Sequence, residues 1–400
     1  MDRASQAFPP GGWSAQREVR IGPKGSPRRS SNLHGPLPRL GRGAAYHAPY
    51  SLPDSRSRAP NSPVSTSLLL ALGLALGLHQ SQAPAPQGGP AGDGPVDQRF
   101  PVYQPARAVS GEIKTVGSDT MNNLFTLWGE DFRVVYPNVK IEIDGKGSAT
   151  APPALIEGTS TFGPMSRPMK SEEIDAFQAN FGYPPLGLQV GLDMLVVFVH
   201  KDNPLVGLSM SQVDAIFSKT RRGGARDDIT TWGQLGLTGD WADKPIALYG
   251  RNSASGTYGY FQEFALFKGD FKDSVKEQAG SAAVVSSIAG DRYAMGYSGI
   301  GYVTAGVRAL PLSKRNDGRF VEAREEFAYR GLYPLYRPLL VYLNHRPGAQ
   351  IDPLRGEFLR YVFSRQGQAA LLEDGYLPIT YPVARRQLGL VGLELEAAAR

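Results

Sequence analysis

The chain of 400 residues contains no cysteine. That absence excludes disulfides, thiol catalysis, thiolate metal sites and a lipid-bearing cysteine at a processed N-terminus. Histidine is almost as scarce. After the N-terminal hundred residues only His200 and His345 occur, far apart and each flanking an apolar run. Metal ligation is therefore poorly supported, and no histidine stands near a hydroxyl-rich loop to act as a base. A GxSxG elbow is missing as well, which argues against a serine nucleophile of that type. The apolar run Leu68–Leu78 is too short to span a bilayer as a helix.

A basic face is also lacking, although the net charge is +6. Residues 1–64 hold ten Lys/Arg against three Asp/Glu, which leaves 33 against 34 in the rest of the chain. The part able to fold is close to neutral, and Arg221-Arg222 is a short pair in a glycine-containing loop. Nucleic acid is not expected as a partner.

What is present falls into zones. Residues 1–63, rich in Gly, Pro, Ser and Arg, read as a disordered basic tail. Residues 64–85 combine the Leu-rich run with the small-residue segment HQSQAPAPQGG and read as an export signal, with cleavage expected near Ala83 or Ala85. The tail is longer than an ordinary positively charged leader, so the expected true start lies downstream of Met1. Residues 86–110 read as a Pro/Gly linker.

Beyond residue 110 β and α signals alternate. Glu112–Val116 reads as a strand, followed by GSDT and an amphipathic helix with Leu124, Leu127, Phe132 and Val135 at near-helical spacing. Val139–Ile143 is a second strand before GKGSAT and another helix. Met194–His200 and Arg337–Asn344 read as buried strands, SMSQVDAIFS as a capped helix, and Pro245–Tyr249 as a strand that delivers Arg251. No internal repeat is evident. Strand–loop–helix units of this kind predict a mainly parallel α/β sheet whose loops converge at one edge.

Three of those loops share one character: GSDT, GKGSAT and RNSASGT each place glycine and hydroxyls where a helix begins. The first amides of a helix have no internal acceptor and carry the positive end of its dipole, so they favour an anion. Arg251 adds a guanidinium fork to Ser255, Gly256 and Thr257. RNSASGT lacks the GK[ST] ending of a phosphate-cradling P-loop. Ser118 and Thr120 also suit plain helix caps, and Arg167 in GPMSRPM is either a second cation or a turn residue. Together these groups can bind an oxyanion without a metal or other cofactor.

The ordered stretches VGSDTMNNL, GKGSATAPPALIEG, GPMSRPM, IFSKTRRGG, YGRNSASGTYGYFQE, MGYSGIGYV, YPLYRPLLVYLN and FSRQGQAALLEDGYLPI resemble a known family from about residue 111 to 388. It is that of the periplasmic phosphate-binding proteins of Pst-type ABC importers, in the type II periplasmic binding protein superfamily. The resemblance implies an α/β fold of two lobes joined by two hinge strands: 111–196 with 339–388, and 197–338. It implies inorganic phosphate as ligand, ABC importer membrane subunits as partners, a periplasmic monomer, no cofactor and no catalysis. By motif match the ligand residues are Thr120, Met121 through its amide, Ser148, Arg251, Ser255, Gly256 and Thr257, with Ser118, Asp119, Ser166, Arg167 and Ser253 as further candidates.

One departure bears on selectivity. Well-known members carry an aspartate where Ser166 stands here, to accept the proton of bound phosphate and repel sulfate. Asp119 is a candidate replacement acceptor, or else a helix cap. The alternatives that stay open are another oxyanion such as sulfate, a phosphate sensor, or a phosphate-ester hydrolase with Ser253 or Ser255 as nucleophile.

Overall fold

The structure, a computed structural model, describes residues 96–396; the expected tail, the export signal and the first part of the expected linker lie outside the described residues. The chain enters through an extended stretch and β1 (Gly111–Val116), which pairs in parallel with β2 (Val139–Asp144) around α1 (Asn122–Val135). α2 (Ala151–Ile156), the short β3 (Gly163–Met165) and α3 (Ser171–Phe181) follow. α1 buries Leu124, Phe125, Trp128 and Phe132, a helical stripe that closes on the core. Val135, expected on that stripe, points outward, and the following Tyr136 is buried in its place.

β4 (Leu186–His200) is one long strand whose residues 194–199 are all buried. Its first half pairs with β11 (Tyr336–Leu343), and its second half pairs with β8 (Ala294–Gly299) and β9 (Val307–Ala309). Between these lie β5 (Leu208–Ser209), α4 (Met210–Phe217), β6 (Ala247–Arg251), α5 (Gly256–Phe264), β7 (Lys276–Gln278), α6 (Ser281–Ala289), β10 (Leu312–Ser313) and α7 (Glu325–Tyr329). After β11 the chain closes with α8 (Pro353–Val362), α9 (Arg365–Glu373), β12 (Leu377–Pro378) and α10 (Tyr381–Gly389).

The large sheet runs β3-β11-β4-β8-β6-β7. Its β6–β7 and β6–β8 pairs are parallel, but β4 meets β11, β8 and β9 antiparallel, so the sheet is mixed rather than mainly parallel. The cause is the chain path: β4 carries it out of one lobe and β11 brings it back alongside. Two main hydrophobic cores result, beside a smaller cluster of Leu155, Met165, Met169 and Phe177. One gathers Met121, Leu124 and Trp128 with Leu339, Phe358 and Leu388, and the other gathers Leu195–Val199 with Phe217, Phe261, Val284 and Tyr297.

Residues 96–110 differ from the expected linker. Phe100 is fully buried edge-to-face on Tyr381, with ring centroids 5.8 Å apart, and the Arg365 amide donates to Pro101 O at 2.8 Å. Tyr103 is a second anchor, edge-on to Tyr361 at 5.5 Å and donating its Oη to Glu357 Oε2 at 2.9 Å, and burial of these aromatics outweighs the weak local propensity. Among the described residues no helix is long and apolar enough to cross a membrane.

Candidate functional site

Each of the three hydroxyl-rich loops opens a helix, and all three meet where the lobes face each other. In the first, the Ser118 amide donates to Pro164 O at 2.8 Å, which lays the β1–α1 turn against β3. The second is joined to the first through the Gly147 amide and Gly117 O at 2.7 Å, and to the third through the Ala149 amide and Ala254 O at 3.1 Å. Gly147 has φ 128°, and a Cβ there would lie 2.5 Å from Ala254 O, so only glycine allows the approach.

Side chains then form two adjacent hydroxyl clusters, which Arg337 bridges. Ser118 Oγ donates to Ser166 Oγ at 3.0 Å, the Ser166 amide donates to Ser148 Oγ at 3.1 Å, and the Ser148 and Ser166 hydroxyls are 3.4 Å apart. Across the lobes, Thr120 Oγ1 and Thr257 Oγ1 are hydrogen-bonded at 3.0 Å. All five residues are 2% exposed or less. Gly256, the first residue of α5, sits against this cluster, and a Cβ there would fall inside contact distance of both Ser148 Oγ and Ser166 Oγ. Ser255 is buried beside it, but its Oγ accepts from the Thr257 and Tyr258 amides as the α5 cap.

The cations are arranged differently from the sequence expectation. Arg167 is bound in a fork to Glu173 at 2.8 and 2.6 Å and donates to Pro168 O, away from the hydroxyl network. Neighbouring side chains along an extended backbone point to opposite sides, so with Ser166 on the hydroxyl cluster Arg167 is directed away from it, along Gly259 of α5. Arg337 occupies the place instead. Its Nη2 donates to Thr257 Oγ1 at 3.0 Å and its Nη1 to Ser166 O at 3.0 Å, which links the lobes. Nε and Nη2 also hold Asp193 Oδ2 at 2.9 and 2.7 Å, and both residues are fully buried. Asp193 Oδ1 has no partner among the described residues. The sequence signal for this pair was a charged residue opening each apolar crossing run, LDMLVVFV and YRPLLVYL.

Arg251 is 1% exposed in the same cleft. Its Nη1 donates to Ser281 Oγ at 2.7 Å and lies 2.9 Å from Asp119 Oδ2, its Nη2 donates to Ala279 O, and its Nε has no partner among the described residues. Asp119 is thus engaged by Arg251 and Ser281 rather than standing free as an acceptor. The Met121 amide donates to Ser118 O and its side chain is buried in the core. Ser253 is exposed and stays outside the network.

Tyr302 and Tyr376 clamp the first loop. Tyr302 Oη donates to Thr120 O at 3.2 Å and Tyr376 Oη donates to the same oxygen at 2.6 Å. Burial pushes both phenols well above their ordinary range, so they are neutral donors at any physiological pH. With both arginines paired to carboxylates, the cleft offers hydroxyls, amides and guanidinium edges with little net charge.

Residues 102–366 match the model of the PBP superfamily domain. The phosphate-binding protein PstS of Pseudomonas aeruginosa is 53% identical over 298 residues, covering 74% of this chain and 92% of that one. The chain belongs to the PBP superfamily. Among solved structures, this PBP-superfamily chain superposes at TM-score 0.57 and 25% identity on a Clostridium perfringens protein with bound phosphate, assigned as the substrate-binding protein of a phosphate ABC transporter. That match covers 68% of this chain and all of the other. An ABC-type phosphate transport receptor from Vibrio cholerae, at TM-score 0.53 and 20% identity over 67% of this chain, shares the fold.

Proposed function

We propose that this chain captures inorganic phosphate between its lobes and delivers it to the membrane subunits of an ABC importer. The observation that carries the reading is the meeting of Ser118, Thr120, Ser148, Ser166 and Thr257 hydroxyls from both lobes, beside the buried Arg337 fork. A tetrahedral anion entering there exchanges hydroxyl–hydroxyl bonds for charge-assisted ones, which are about twice as strong. The 53% identity to a protein named for phosphate binding, and the phosphate-bound relative, point the same way. No step of bond cleavage follows from the site: Ser255 Oγ is committed to its helix cap, and Ser253 lies outside.

The protein acts as a periplasmic monomer in this reading. Sulfate is the competing ligand, because Ser166 stands where a carboxylate filter is expected and both nearby carboxylates, Asp119 and Asp193, are held by arginines. Titration calorimetry with phosphate and with sulfate, beside a p-nitrophenyl phosphate turnover assay, tests the proposal. Phosphate binding without turnover supports it. Equal or tighter sulfate binding replaces the ligand, and turnover lost in Ser255→Ala replaces the function.

A further inference from the structure

Asp119 makes contacts that the capture of an anion does not require. It belongs to the β1–α1 loop, beside Met121 and Leu124 of the first core. Its Oδ2 accepts from both the amide and the hydroxyl of Ser281, each at 3.0 Å. Ser281 opens α6, whose Val284, Val285 and Ile288 lie in the second core. The residue before it, Gly280, has no side chain to cap the helix, and a Cβ at Gly280 would sit 3.2 Å from Asp119 Oδ1. A carboxylate from one lobe therefore caps a helix of the other.

The same oxygen lies 2.9 Å from Arg251 Nη1, and Arg251 Nη1 itself donates to Ser281 Oγ at 2.7 Å. Three charge-assisted contacts, to an amide at a positive helix end, a hydroxyl and a guanidinium, converge on one oxygen. Tyr302, from the second lobe, holds the Asp119 and Thr120 carbonyls at 3.3 and 3.2 Å and fixes the loop in that position. Opening the cleft breaks all of these contacts together, because every donor belongs to the opposite lobe. Each hydrogen bond to a charged group is worth about 1.5–3 kcal/mol when formed.

We propose that Asp119 is a closure latch: a positioning residue that stabilises the closed cleft by capping α6 and pairing with Arg251 across the lobes, and that sets the rate of ligand release. The ligand part rests on the phosphate reading; the latch does not. Its carboxylate is the counter-charge of Arg251, so closure has a component that belongs to the protein alone. Asp119→Ala loses the latch outright. Ser281→Ala keeps the amide and loses the hydroxyl, a milder version of the same loss.

Stopped-flow phosphate release and a lobe-to-lobe distance test the proposal on the full chain. The absence of native cysteine lets Lys140→Cys and Arg315→Cys, both at exposed positions in opposite lobes, carry a fluorescent pair. In Asp119→Ala the expected outcome is release accelerated roughly tenfold or more, with association within about twofold and the phosphate-to-sulfate preference unchanged. The ligand-free lobe distance lengthens, Ser281→Ala shifts both readouts less, and the double variant adds little to Asp119→Ala. Unchanged release together with an unchanged ligand-free distance overturns the latch. If the parent protein binds no phosphate, the functional reading fails, while the ligand-free distance still decides whether Asp119 holds the lobes.

Discussion

Arg337 and Asp193 sit on the two strands that cross between the lobes and form an ion pair with both side chains fully buried, Nη2 2.7 Å from Oδ2. The guanidinium places two further donors on Ser166 O and Thr257 Oγ1, one from each side of the cleft. Removing one partner of a buried pair strands the other charge, which costs about 3–5 kcal/mol. Arg337→Ala is expected to lose stability of that order in urea denaturation. Arg337→Met combined with Asp193→Leu recovers much of it and leaves phosphate affinity low, since stability and binding use the arginine differently.

Arg251→Ala removes a buried guanidinium that touches Asp119, Ser281 and Ala279. Truncating such a partner typically costs about 2–5 kcal/mol of binding. Calorimetry that finds less than a threefold change in phosphate affinity counts against a role for Arg251 in the cleft.

Arg167→Ala is the contrasting control. Its fork is spent on Glu173, outside the hydroxyl network. Phosphate affinity is expected to stay within about threefold of the parent, as for a residue with no contact to the site. A tenfold loss would return Arg167 to the ligand shell.

Gly256→Ala places a methyl against Ser148 Oγ and Ser166 Oγ, which belong to the other lobe. The helix itself tolerates alanine, so the clash is relieved by parting the lobes rather than by unfolding α5, and the ligand-free lobe distance should lengthen. Affinity should fall more than tenfold, because the clash exists only in the closed state. A parallel loss of melting temperature would mean that the position is merely structural.

Asp374 supplies a pH dependence. Burial first, and then the nearby Asp193 and Glu373 charges, push its carboxyl up to about 7, against bonds from Asn123 and Leu124 that favour the charged form. A carboxyl whose folded value is raised holds its proton in the folded state while the unfolded chain has released it. Stability therefore falls as pH rises from about 4 to about 7 and levels off above, with about 1.4 kcal/mol for each unit of difference. Asp374→Asn should flatten that decline, raising the melting temperature at pH 8 and leaving it unchanged near pH 4. Scanning calorimetry across this range checks it, and an identical pH profile in the variant would remove Asp374 as the cause.

Much of the local architecture was legible because it is encoded locally. Glycine and hydroxyls at helix starts mark Ser118, Ser148 and Ser255, and apolar runs mark the second half of β4 and most of β11, since both follow from backbone sterics and from burial over a few neighbouring residues; the first half of β4, LGLQVGLD, carries no such run. The capping box of Ser209 and Gln212 on α4 is of the same kind. Only the tertiary structure decided where the charges go. Asp119 and Ser281 are 162 positions apart, and Ser166 and Arg337 171 apart, so no local pattern tells which guanidinium meets which oxygen. The choice of Arg337 over Arg167, the engagement of Asp119 by α6, and the docking of Phe100 depend on side-chain direction and on the closing of one lobe upon the other, which are properties of packing and not of spacing along the chain.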